Sequence, residues 1–318
     1  MPSTYTAESS AATGELIVKA NKRLKTNADT QVSDALVINN LTKHYRDFTL
    51  DKVSFSVPKG SIMGFVGENG AGKTTTIKAI LDLIEMDGGE VSILGHSSKD
   101  LPLDVKAALG VVFDGSSLHD NLNIKNVDFV MKHIYKNWDS KVFAGYVKRF
   151  ELPERKNMKE FSRGMKMKLS IAIALSHHSK LLILDEATSG LDPMVRDEIL
   201  DIFLEFIQEE DHTILLSSHI ISDIEKIADY VTFIHKGRIV FSESKDELIY
   251  QYGIIRCRRD EVSAIDRSYI VGMRENSFGA EVMIRKKDTF MRQYHHYLVE
   301  RTSIEEIMLF ISRGRELN

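Results

Sequence analysis

A single cysteine, Cys257, in 318 residues excludes any internal disulfide and fits a reducing compartment. No stretch approaches 18 consecutive apolar residues, so no segment has the length of a membrane-spanning helix. Positive charge is not in excess either. The formal net charge of −4 removes the general electrostatic case for nucleic-acid binding, and no nucleic-acid partner is expected. Residues 1–34, rich in Ser, Thr, Ala and Asn, lack sustained periodicity of either kind and read as a disordered tail. The basic cluster Lys19, Lys22, Arg23 and Lys25 lacks the apolar core of a signal peptide. No repeat of a whole domain is visible, so the chain carries one copy of its main module. The hydrophobic fraction of 43% and charged fraction of 28% are those of an ordinary globular protein, with room for one large domain and a smaller one.

Against these absences stands one dense motif. Gly67-Glu68-Asn69-Gly70-Ala71-Gly72-Lys73-Thr74-Thr75 matches the phosphate-loop pattern G-x-x-x-x-G-K-[ST] at every fixed position. Residues 61–66 before it read as a buried strand, and Ile77, Ile80, Leu81 and Ile84 after it fall on one helical face. Glycines let a backbone wrap phosphate oxygens, and a helix N-terminus turns free N–H groups toward the anion. Lys73 is expected to reach the β- and γ-phosphates and Thr74 to hold Mg²⁺ through its hydroxyl. The motif implies a nucleoside triphosphate site.

The surrounding pattern is α/β. Residues 35–41 and 53–57 read as strands of an antiparallel flap, residues 116–178 as a helical arm, and residues 181–184 and 213–217 as apolar strands covered on both faces. Residues 230–234 and 239–241, joined around Lys236-Gly237, read as a hairpin. The nucleotide module is expected over 35–246. Residues 247–318 read as a small α+β appendage with weak strands at 254–257, 269–272 and 280–284. It closes on a capping box, Ser303-Ile304-Glu305-Glu306, whose helix is expected to stop near Gly314.

Further segments narrow the chemistry. The strand 181–184 ends in Asp185 and Glu186; the first suits Mg²⁺ and the second a water to be polarised. Phe161-Ser162-Arg163-Gly164-Met165 precedes a helical run, Ser189-Gly190-Leu191-Asp192 follows the carboxylates, and Ser217-Ser218-His219 ends the next strand. In this order the motifs resemble those of the ATP-binding-cassette (ABC) family, over residues 35–246. The resemblance implies a mostly parallel P-loop core sheet with an antiparallel β flap, an inserted helical subdomain and the small appendage. It implies that Tyr45 stacks on adenine and that His219 senses the γ-phosphate. Ser162 and Gly164, in the place of the family's L-S-G-G-Q signature, are implied to reach ATP held by a second subunit. Phe161, Arg163 and Met165 depart from that signature, and Asp114 stands where the family usually carries a Gln near Mg²⁺.

The style of these motifs is similar to that of bacterial exporter ATPases for drugs, peptides and antibiotic resistance. The resemblance implies an ATPase using ATP and Mg²⁺ at the cytoplasmic face of the membrane. Its partners would be a second ABC ATPase subunit and a multi-span permease, docked on the helical arm near Tyr135 and Trp138. Two other readings stand beside this one. A soluble ABC-type ATPase acting on nucleic acid or ribosomes would usually bring two cassettes or a long coiled coil, neither of which is present. A module that holds ATP without hydrolysing it well would have little use for Glu186.

Overall fold

The computed structural model describes residues 34–115 and 118–313. The expected N-terminal tail, apart from Asp34, and the helix stop at Gly314 lie outside them. The described residues form two compact units that divide between Ser242 and Glu243.

The first unit opens with β1 (Asp34–His44) and β2 (Thr49–Pro58), then β3 (Ile62–Val66) and α1 (Lys73–Ile80). All of β3 is buried, as its unbroken apolar run requires for a strand covered on both faces. The helix after the phosphate loop is shorter than its spacing predicts. Leu81 caps it, Asp82 turns left-handed at φ 54°, and Ile84 joins the core from outside the helix. The chain continues through β4 (Gly88–Ile93), β5 (His96–Ser97), α2 (Leu103–Ala107) and β6 (Leu109–Val112). The helical arm follows, with α3 (Ile124–Ile134), α4 (Ser140–Arg149) and α5 (Arg163–Leu175). The unit is completed by β7 (Leu181–Asp185), α6 (Pro193–Phe206), β8 (Thr213–Ser218), α7 (Ile221–Ile227), β9 (Tyr230–His235) and most of β10 (Arg238–Ser244).

Two sheets result. An antiparallel flap runs β2-β1-β4-β5, and a second sheet runs β10-β9-β3-β8-β7-β6 with β6, β7, β8, β3 and β9 parallel. One apolar core spans both, and the stacked rings of Phe55 and Phe65, 5.2 Å apart, join flap to parallel sheet. Each fully buried side chain of that size contributes roughly 1.5–3 kcal/mol. The β9–β10 turn ties the same parts by hydrogen bonds. Lys236 and Gly237 both take positive φ, as a two-residue hairpin needs. The Gly237 amide donates to Ala71 of the phosphate loop, and its carbonyl accepts from Asp51 of β2 at 2.9 Å. A Cβ at 237 would lie 1.9 Å from the Thr49 carbonyl oxygen, so only glycine fits.

In the arm, Tyr135 stacks on His177 at 4.0 Å, and Trp138 donates to Asp128 while packing on Phe143. These two aromatics are engaged within the chain. Among the described residues, the large apolar side chains exposed on the arm are Phe129 and Ile134 of α3.

The second unit has α8 (Lys245–Gln251), β11 (Gly253–Cys257), β12 (Ile270–Glu275), β13 (Ala280–Ile284), α9 (Lys287–Gln293), β14 (Val299–Glu300) and α10 (Ile304–Arg313). Its antiparallel sheet runs β12-β13-β11-β14 over its own core, built around Ile255, Val282 and Phe290. The capping box forms as read: Ser303 N–H donates to Glu306 and Glu306 N–H to the Ser303 hydroxyl.

Candidate active site

The loops that follow β3, β6, β7 and β8 all leave the same edge of the parallel sheet, because those strands run the same way. Ligands of open α/β sheets bind at that carboxyl edge. Four of the sequence motifs are thus brought to one place by topology alone.

The phosphate loop leaves β3 at Gly67. A Cβ there would sit 2.5 Å from the Ile234 carbonyl oxygen, and Gly72 holds φ 114° against Leu50 and Phe48. Gly70 also takes positive φ, so the loop's path depends on its glycines. Glu68, Asn69, Gly70 and Thr74 are exposed, Ala71 and Lys73 are buried, and Thr75 is half-buried. Lys73 Nζ donates to the loop carbonyls of Gly67, at 2.8 Å, and Glu68. It also pairs with Glu186 Oε1 at 3.2 Å.

Glu186 stands just past β7, and Ser217 O accepts its N–H. Its φ is 54°, a left-handed conformation that costs a residue bearing a Cβ on the order of 1 kcal/mol or more. Such strain at a strand tip aims the side chain. Glu186 Oε2 meets His219 Nδ1 at 2.6 Å, so lysine, carboxylate and imidazole form one contiguous set.

Asp185 lies opposite Ser217 in the β7–β8 register and accepts from its hydroxyl at 3.0 Å. Burial raises the Asp185 carboxyl above the usual carboxylate range, against partial relief from the Thr74 and Ser217 hydroxyls. Sequence reasoning missed Ser217 as a site residue. A hydroxyl closing an otherwise apolar strand was the available signal. The Thr74 hydroxyl and Asp185 make a hard oxygen donor set that suits Mg²⁺, an ion usually bound through one or two carboxylates plus substrate phosphates.

The remaining residues named from sequence stand on other elements. Tyr45 follows β1, is 47% exposed, and has Lys43 Nζ 5.8 Å from its ring centroid. Ser162 caps α5, its hydroxyl accepting from Met165 N–H, and Gly164 lies in the first turn. A Cβ on Gly164 would meet Leu191 and Val195 at 3.8 Å, an ordinary contact, so nothing among the described residues requires glycine there. Asp114, expected on the metal side, is held by Arg163 Nη2 at 2.7 Å in this structure.

The family model described as ABC transporter matches residues 50–189. The bacitracin transport ATP-binding protein BcrA of Bacillus licheniformis is 31% identical over 83% of this chain and 86% of its own length. The lantibiotic transport ATP-binding protein SrtF of Streptococcus pyogenes is 35% identical over 66% of this chain and 91% of its own. Among solved structures, an ATP-binding subunit of an ABC transporter superposes with a TM-score of 0.62 at 27% identity, covering 68% of this chain and 92% of that one. A dimeric ATP-binding cassette bound to ADP and Pi shares the fold, with a TM-score of 0.58 at 23% identity over 66% of this chain and 98% of that one.

Proposed function

The chain belongs to the ABC transporter family as an ATP-binding, ATP-hydrolysing subunit, and from that premise we propose that it powers export through a separate membrane permease as one of two ATPase subunits. The observation that carries this reading is the convergence of Lys73, Glu186 and His219 beside Asp185 at one sheet edge. The names of its relatives, bacitracin and lantibiotic transport proteins, support a peptide antibiotic or similar amphiphile as cargo. Among the described residues no helix is long and apolar enough to cross a membrane, so the path for that cargo is assigned to the partner. The expected place of work is the cytoplasmic face of the membrane.

In the proposed cycle, Tyr45 offers its exposed face to adenine and the loop from Gly67 to Thr75 wraps the phosphates. Lys73 exchanges Glu186 and the loop carbonyls for the β- and γ-phosphates. That exchange frees Glu186 to accept a proton from the attacking water, with His219 holding the carboxylate in place and meeting the γ-phosphate. Mg²⁺, held by Thr74 and Asp185, supplies charge neutralisation on the phosphates when bound. Gly164 supports the two-subunit arrangement: its bare backbone, unexplained inside the chain, suits close approach to a nucleotide held by the partner, beside the Ser162 cap.

Glu186→Gln tests the assignment. ATP binding should persist, turnover should fall about 10²- to 10⁴-fold, and dimer should accumulate with ATP and Mg²⁺ on a sizing column. Unimpaired hydrolysis by a monomer would sink both the base and the sandwich.

A further inference from the structure

Two departures from the family pattern, Asp114 for Gln and Arg163 for Gly, meet each other in space. They are 49 residues apart in sequence, opposite in charge, and joined at 2.7 Å. The Arg163 guanidinium also lies against the backbone of Gly190. That residue holds φ 67°, and a Cβ on it would come within 2.5 Å of Arg163 Nη1. One side chain thus touches the segment after β6, the loop before α6 and its own turn beside Ser162. From Gly190 the path continues to Glu186, whose carbonyl accepts from Ser189 N–H at 3.1 Å.

The electrostatics call for this pairing. The first turn of α5 carries no acidic residue, and Arg163 places a cation at the positive end of the helix dipole. Asp114 supplies the missing countercharge from another element. Both side chains are about half exposed, and exposed pairs add little to folding. Stability is therefore a poor reason for two matched charges here, and geometry is a better one.

We propose that Arg163 is a positioning residue for ATP hydrolysis, with Asp114 as its anchor and bare Gly190 as its seat. It sets the turn Ser162–Gly164 in register with the loop Ser189–Asp192, so that the surface offered to the second subunit and the backbone beside Glu186 move as one piece. This role rests on the two-subunit reading above.

The test uses the full chain with Asp114→Ala, Arg163→Ala, the double variant, and the exchange Asp114→Arg with Arg163→Asp. Turnover number, KM for ATP and thermal midpoint are measured for each. Each single variant should lose turnover number by about tenfold and the double should lose no more than either single, while the exchange, which restores the charge pair but not the guanidinium on Gly190, should recover only part of it. KM and the thermal midpoint should hardly move. Singles with full turnover would make the pair a spectator. Additive losses with no recovery on exchange would mean that Arg163 acts on something other than Asp114, and either result overturns the proposal. Lys73→Ala runs alongside as a separate arm. If it too keeps full turnover, the ATP-site reading itself fails; if it is inactive while the pair variants are normal, only the positioning role falls.

Discussion

At the scale of single residues, the site holds its charges against one another. Lys73 is buried and touches two carbonyls and a carboxylate, so its cation is directed before any nucleotide arrives. Lys73→Ala should lower ATP turnover by about 10²-fold or more, the scale of removing one aimed donor, with steady-state phosphate release as the measurement. Asp185 has the opposite economy. Burial, its largest influence, holds the carboxyl above its ordinary 3.8, so the native state binds a proton more tightly than the unfolded chain does. The stability linked to it is full below the unfolded value and is lost as pH rises through the raised native one. At neutral pH the buried charge opposes folding. Asp185→Asn should raise the thermal midpoint of the nucleotide-free protein, on the order of a few degrees, and shrink its rise on acidification, while Mg²⁺-dependent turnover disappears. A midpoint below wild type at neutral pH would show that the carboxylate supports the fold.

At the scale of elements, the glycines separate what the fold needs from what the ligand needs. Gly72 combines positive φ with a Cβ position 2.6 Å from Leu50, so Gly72→Ala should cost about 1–3 kcal/mol in denaturant unfolding. Gly164→Ala, in an open helical turn, should leave stability unchanged or raise it by up to about 1 kcal/mol. Its loss should be in turnover instead. Equal destabilisation by the two would remove the case for a ligand-facing Gly164. The same contrast explains what could be read from sequence. Residues 181–184 and 213–217 were legible as core strands because an unbroken apolar run has few other homes. β4 was not, because Gly88 and Gly89 open it and its alternation is short. α1 ended early because hydrophobic spacing does not register the left-handed turn at Asp82. The order of the motifs singled out Glu186 and His219, but not that they touch. The Asp114–Arg163 contact was invisible, since a sequence presents each departure separately and only the fold sets them side by side.

At the scale of the whole molecule, the proposed sandwich makes each site a property of two chains. A chain with Lys73→Ala keeps a good signature turn, and a chain with Gly164→Arg keeps a good phosphate loop. Each alone should be inactive. Mixed in equal amounts, half the dimers are heterodimers with one intact site of two, so about a quarter of wild-type turnover should return. No recovery on mixing would mean that each chain hydrolyses ATP by itself. The Gly237 turn bears on how such a chain comes apart. Its amide is spent on the phosphate loop and its carbonyl on the flap, so neither sheet can open without releasing the other's edge. The amides of Asp51 and Gly237 should therefore exchange with solvent deuterium together, at the slow rate of global opening, rather than at the faster rates of separately fraying sheets.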